Sequence, residues 1–363
     1  MWQNIHHIYR AVLSGTARFF NMTLYKVILP VLLLLVACGP AKKKAAPAPF
    51  LTAREAIRMN QVIYKTNTET AYARYAPAYQ VVYLPQPVNG NFAAILKKKD
   101  TEQYALVIRG SVMEFSNEGF QNFILQDFNI FRMKSWQYAD TVKNAYISYG
   151  TYTGFSNLLQ LKDIRSGLSV KDFIEQKLPP EASLVITGHS LGGNLAYAMA
   201  GYLVKELPAQ YKGRLNLITF GAPAAGNAAF VKDLDEKFPD AERYAASMDI
   251  AAVFPDLGKI GELSKMIGLD SVLQINKLQL GGLENELDAG KLLSLAGELL
   301  KKTKLVDESS VYIQSAKHLR TLANKADTVP ASGLSAEAVF NRAYLFHRVD
   351  AYAELLGEKP LED

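Results

Sequence analysis

Apolar residues recur at helical spacing through residues 51–64, at Leu51, Ile57, Met59, Val62 and Ile63, which predicts a helix at the head of the folded part of the chain. Short segments of strand character follow at 79–84, 92–97 and 104–108. Helical and strand patterns then alternate, and the runs 183–187 and 215–220 are almost continuously apolar. A strand with one wet face alternates; a strand without alternation fits a parallel sheet covered by helices on both sides. The pattern therefore predicts an α/β fold, with a mostly parallel central sheet flanked by helices. Residues 257–340 read as helical throughout, leucine-rich and punctuated by Gly258, Gly261, Gly268, Gly281, Gly282 and Gly290. That stretch is expected to be a helical insertion on the α/β core. No internal repeat is visible.

The N-terminal part follows a different rule. Residues 22–26 (Met-Thr-Leu-Tyr-Lys) lead with a positive charge into the apolar run 27–37, and Cys38-Gly39 follows at once. The run is too short for the ~20 residues a bilayer-spanning helix needs, so a signal segment is the better reading. Leu35-Val36-Ala37-Cys38 resembles a bacterial lipobox, which implies that Cys38 receives lipid and becomes the mature N-terminus. Residues 40–49 are Pro, Ala and Lys, a composition that buries nothing and extends as a tether. The expected organisation is an extension and signal peptide over 1–37, with translation starting at Met22, a lipidated tether over 38–50, and one domain over 51–363 with its insertion at about 257–340. Gly39 in place of Asp, by resemblance to sorted lipoproteins, points to the outer membrane.

Composition narrows the function classes. With 49% hydrophobic and 21% charged residues the chain is neither disordered nor fibrous. A net charge of +5 is too mild for a nucleic-acid surface, and Arg10, Arg18 and Lys26 of the first 37 residues supply part of it. The single cysteine excludes an internal disulfide and a cysteine-based zinc cluster. No metal or organic cofactor is implied, and no protein partner is expected.

Gly188-His189-Ser190-Leu191-Gly192-Gly193 contains G-x-S-x-G. Those letters alone are weak, but here they follow a predicted strand and precede a helix with Leu195, Met199, Leu203 and Leu207 on one side. That context predicts a sharp turn with the Ser190 hydroxyl exposed at the carboxyl edge of the sheet, beside a helix N-terminus that favours negative charge. A serine hydroxyl needs an imidazole base, itself oriented by a carboxylate. His6 and His7 fall in the removed part, His189 adjoins the nucleophile and is expected to point away from it, and His318 reads as solvated on a polar helical face. His347 remains. In α/β-hydrolases the acid lies between serine and histidine; Asp249 follows the strand-like residues 244–248 and ranks ahead of Asp256, while Asp240 after Pro239 reads as a turn.

These pieces together resemble the class 3, fungal lipase-like family of α/β-hydrolases over about residues 51–356. The matching residues are 107–111 (Val-Ile-Arg-Gly-Ser), 122–127, Gly154-Phe155, the 187–193 elbow, 218–223 (Ile-Thr-Phe-Gly-Ala-Pro), Gly226-Asn227, Asp249-Ile250, and His347 with Tyr352. The resemblance implies a triad of Ser190, Asp249 and His347, an oxyanion site at Ser111 and a lid at 112–131; the mechanism adds the Leu191 backbone amide to the oxyanion site, and the 257–340 insertion is the second candidate cover. The resemblance also implies an ester hydrolase acting on lipid esters, and the lipobox implies that the enzyme is held at a membrane through Cys38. An acyltransferase with the same triad, or a non-catalytic envelope lipoprotein on the same fold, are the alternatives. The chain departs from the family at Phe123, where Trp is usual, at Tyr152-Thr-Gly-Phe155, which lacks a histidine often found there, and in its long Asp-to-His stretch. Arg109 reads as a loop-fixing residue.

Overall fold

The computed structural model describes residues 48–111, 132–140, 142–267, 312–324 and 336–362. Contacts divide the chain into Met1–Ala46 and Pro47–Asp363. The first unit, with the signal segment and Cys38, lies outside the described residues, as do the expected lid at 112–131 and most of the insertion. Among the described residues no helix is long and apolar enough to cross a membrane.

The head helix, α1 (Ala53–Val62), starts where Thr52 and Glu55 form a reciprocal capping box, which fills two of the amide groups a helix start leaves open. Its buried face includes Ala56, Ile57, Met59 and Asn60, and the Asn60 amide donates to Thr187 Oγ1 at 2.9 Å, tying the helix to the middle of the sheet. After α2 (Thr68–Tyr75), strands β1 (Tyr79–Tyr83), β2 (Ala93–Lys98) and β3 (Gln103–Ile108) form an antiparallel meander. A small hairpin follows, β4 (Met133–Ser135) with β5 (Tyr146–Ser148), then α3 (Tyr149–Leu159) and α4 (Val170–Lys177).

From β3 onward the main sheet is parallel. Strand β6 (Ser183–His189) pairs with β3, helix α5 (Leu191–Glu206) crosses back, and β7 (Leu215–Phe220) pairs with β6. Next come β8 (Gly226–Asn227), α6 (Ala228–Lys237) and β9 (Glu242–Ala246). The full order is β1-β2-β3-β6-β7-β9-β11. Every residue of β3, β6 and β7 is buried, as the unalternating apolar runs require. Their side chains divide by the period of two: Leu106, Ile108, Leu184, Ile186 and Leu217 enter the core with α3 to α6, while Ala105, Val107, Val185, Ile218 and Phe220 enter the core with α1.

The stretch expected to be helical throughout is not. Helix α7 (Leu257–Ile267) opens it and α8 (Ala336–His347) closes it, but β10 (Tyr312–Ile313) pairs with β8, and β11 (Leu319–Leu322) adds a seventh, parallel strand beside β9. Strand β11 lies at the sheet edge with three of its residues exposed, so no alternation marks it, and its leucines, spaced three apart, imitate a helical pattern. The helix α9 (Val349–Leu355) is the last helix of the described residues.

Candidate active site

The carboxyl ends of β3, β6, β7 and β9 lie along one edge, and the candidate residues gather there. Strand β6 runs through His189 into Ser190, whose φ of 58° and ψ of −129° are strained for a residue with a side chain. Hydrogen bonds hold that conformation: Ser190 N–H donates to Phe220 O at 2.9 Å, and Ser190 O accepts from Gly193 at 2.9 Å and Asn194 at 3.1 Å. The motif glycines are steric necessities. A Cβ on Gly188 would lie 2.1 Å from Gly192 O, and one on Gly192 would lie 2.2 Å from Ile108 O. Only without side chains can β3, β6 and the start of α5 approach closely enough to make this turn.

His347 is the last residue of α8, and Asp249 lies three residues beyond β9. His347 Nε2 is 2.8 Å from Ser190 Oγ, and His347 Nδ1 is 2.9 and 3.0 Å from the two Asp249 carboxylate oxygens. Asp249 is fully buried, and its oxygens also accept from Ala251 N–H at 2.9 Å and Tyr352 O–H at 2.6 Å. A carboxylate offers only acceptors, so Nδ1 carries the imidazole proton and Nε2 presents its lone pair to the serine hydroxyl. Burial and the neighbouring Asp249 push the Tyr352 phenol well above its ordinary range, so it stays a donor, while its oxygen accepts Ala246 N–H at 3.0 Å. Ser190 itself is 6% exposed, so the expectation of an open hydroxyl is corrected: the His347 imidazole packs against it.

The competitors lie elsewhere. Asp256 accepts from Lys259 N–H at 3.1 Å in the first turn of α7, and its side chain is half exposed. Asp240 is exposed at a turn. His318 is the second correction. It sits at the entry to β11, buried and 3.5 Å from Asp235, not on a solvated helical face. Its backbone carbonyl accepts from Arg243 near the start of β9, whereas Asp249 follows that strand's far end.

The pairing of Ile108 with Gly188 sets Gly110-Ser111 beside the elbow, and Ser111 is half-buried there. Leu191 opens α5, so its amide is one of the donors that a helix start leaves unfilled. The Arg109 guanidinium lies 5.1 Å from the Phe92 ring centre and reaches Gly90 O at 3.2 Å, a loop-fixing arrangement. Tyr64, just past α1, was not flagged by the sequence. Its hydroxyl meets Gly110 N–H at 3.1 Å and His189 Nδ1 at 3.2 Å. Apart from the resemblance of the 187–193 elbow, no sequence signal marks this contact.

Residues 105–258 match the family model described as Lipase (class 3). That stretch holds Ser111, Ser190, Leu191 and Asp249, with His347 beyond it. Among solved structures, the chain is similar to M37 lipase, with 21% identity, 85% of this chain and 94% of that chain covered, and a TM-score of 0.61. A Rhizomucor miehei lipase in complex with its propeptide gives 20% identity over 57% of this chain and 62% of that one, at a TM-score of 0.44. Lipase II from Rhizopus niveus gives 18% identity over 57% and 73%, at 0.44. The likeness to M37 lipase is one of fold, an α/β-hydrolase type with a mostly parallel central sheet flanked by helices. The comparisons thus show a class 3 lipase segment over residues 105–258 and a lipase-like fold over most of the chain.

Proposed function

We propose that the protein hydrolyses carboxylic esters, lipid esters foremost, through an acyl-Ser190 intermediate. The observation that carries this reading is the unbroken hydrogen-bonded line from Ser190 Oγ through His347 to Asp249. Ser190 Oγ attacks the ester carbonyl while His347 Nε2 takes its proton; Asp249 holds the Nδ1 proton and offsets the imidazolium charge. The oxyanion forms toward the amides of Leu191 and Ser111, where each preorganised donor contributes about 3 kcal/mol to the transition state. Collapse expels the alcohol, protonated by His347. Water then repeats the sequence and releases the acid.

A non-catalytic envelope protein would gain nothing from a strained serine aligned on an imidazole, so the geometry favours the enzyme. The test is product analysis with p-nitrophenyl esters of increasing length, emulsified triglycerides and phospholipids, with and without an added alcohol. Free fatty acid is the expected product. No turnover of any ester, or acyl groups found on the added alcohol in preference to water, would replace this reading.

The proposal includes a site of action. With Cys38 lipidated, the enzyme would be tethered to the outer membrane by the Pro/Ala/Lys segment, beside lipid substrates; the lipobox and the tether's composition support this. Mass spectrometry of membrane-extracted protein should find an acylated N-terminal Cys38, lost in Cys38→Ala. An unmodified Cys38 within an intact N-terminal segment would refute the anchor.

A further inference from the structure

His189 is a buried imidazole at the site with no part in the chemistry above. Its Nε2 lies 2.7 Å from the backbone carbonyl of His347, and its ring packs 4.8 Å from the His347 ring and 5.6 Å from that of Tyr352. A carbonyl only accepts, so Nε2 carries the proton. Burial and the neighbouring His347 hold this imidazole well below the ordinary histidine range, so it is neutral and Nδ1 has a lone pair. Tyr64 Oη, 3.2 Å away, must then donate to Nδ1; its other oxygen neighbour, His189 O, is at a longer 3.5 Å. Burial pushes the Tyr64 phenol above its usual range, so the donor is retained, and the same oxygen accepts Gly110 N–H at 3.1 Å. Every polarity is thereby fixed: Gly110 N–H to Tyr64 O–H, to His189, to the carbonyl of His347.

One end of this line is the residue before Ser111, the other the backbone of the base. These two parts of the site arrive on unconnected elements, the loop after β3 and the end of α8, and Ser190 stands between them. We infer that Tyr64 and His189 are positioning residues which hold the Gly110-Ser111 loop and His347 at a fixed separation about Ser190. The inference rests on the proposed roles of Ser190, His347 and Ser111. Hydrogen bonds in a buried line polarise one another, so the line acts as a unit and cutting it anywhere releases both ends. A shift of about 1 Å at a reacting group costs on the order of 100-fold in rate, so a partial release should cost roughly 10- to 50-fold.

Tyr64→Phe removes the hydroxyl and keeps the ring; His189→Leu removes both ring nitrogens. Each should lower kcat on a short p-nitrophenyl ester by roughly 10- to 50-fold, with KM changed less than about twofold, because substrate binding is not what the line controls. The double variant should be no worse than the weaker single variant, since a line already cut cannot be cut again. His189→Gln, which can still offer an N–H to the His347 carbonyl, should recover part of the loss. An unchanged kcat in Tyr64→Phe, or losses that multiply in the double variant, would overturn the inference. If His189→Leu fails to fold, the kcat of Tyr64→Phe decides alone. Labelling of the parent enzyme by a fluorophosphonate separates the layers: an unlabelled Ser190 removes the catalytic reading, whereas a labelled parent with unaffected variants removes only the positioning roles.

Discussion

Ser190→Ala is expected to leave a folded protein whose turnover of a short p-nitrophenyl ester falls at least about a thousandfold. The change deletes one oxygen. Alanine keeps the Cβ, so the strain at φ 58° is the same before and after, and the hydrogen bonds from Ser190 N–H to Phe220 and from Gly193 and Asn194 to Ser190 O are backbone bonds that the substitution leaves intact. The bond that is lost is the one to His347 Nε2, which leaves a buried acceptor unpaired and costs about 1–3 kcal/mol. Melting should therefore shift by a few degrees while activity collapses, a combination that general destabilisation does not produce. Turnover within tenfold of the parent, in a variant that melts cooperatively, would show that Ser190 is not the nucleophile.

What the sequence could reveal depended on how local the physical signal was. The elbow was readable because its requirements are local: a buried strand, a turn that excludes side chains at Gly188 and Gly192, and a helix with an apolar side. The position of Asp249 was readable for a related reason, since a residue just past a parallel strand falls on the edge where the carboxyl ends of the strands gather. Strand β11 was not, because an exposed edge strand has no buried face to impose alternation. His318 belongs with it: polar neighbours at helical spacing imitate a solvated helix, while the real environment is set by Asp235 and Arg243, which are distant in sequence. The same distance hid Tyr64. Its contacts with Gly110 and His189 exist only because α1 packs across the middle of the sheet, which no pattern near residue 64 encodes.

The two late histidines separate cleanly by experiment, because both are buried but only one faces Ser190. His347→Ala should cost a thousandfold or more in kcat, by analogy with triad deletions generally, since it removes the proton acceptor and leaves Asp249, among the described residues, with Ala251 and Tyr352 as donors. His318→Ala should keep activity within a few-fold and act on stability. Burial holds the His318 imidazole below the ordinary value of 6.5, against the weaker opposing pull of Asp235. The unfolded chain therefore binds a proton at this position before the folded one does, and His318 makes the fold less stable as pH falls through about 6.5. Removing a buried side chain costs stability at pH 8, where that proton is absent from both states. The gap in melting temperature between parent and His318→Ala should then narrow from pH 8 to pH 5.5, because only the parent carries this acid penalty. Thermal melts across that range, run beside initial rates, measure both effects. Equal loss of activity at His347 and His318, with both variants folded, would leave the base unassigned and undo the roles proposed for this edge of the sheet; a gap that widens in acid would show that His318 gains a proton on folding.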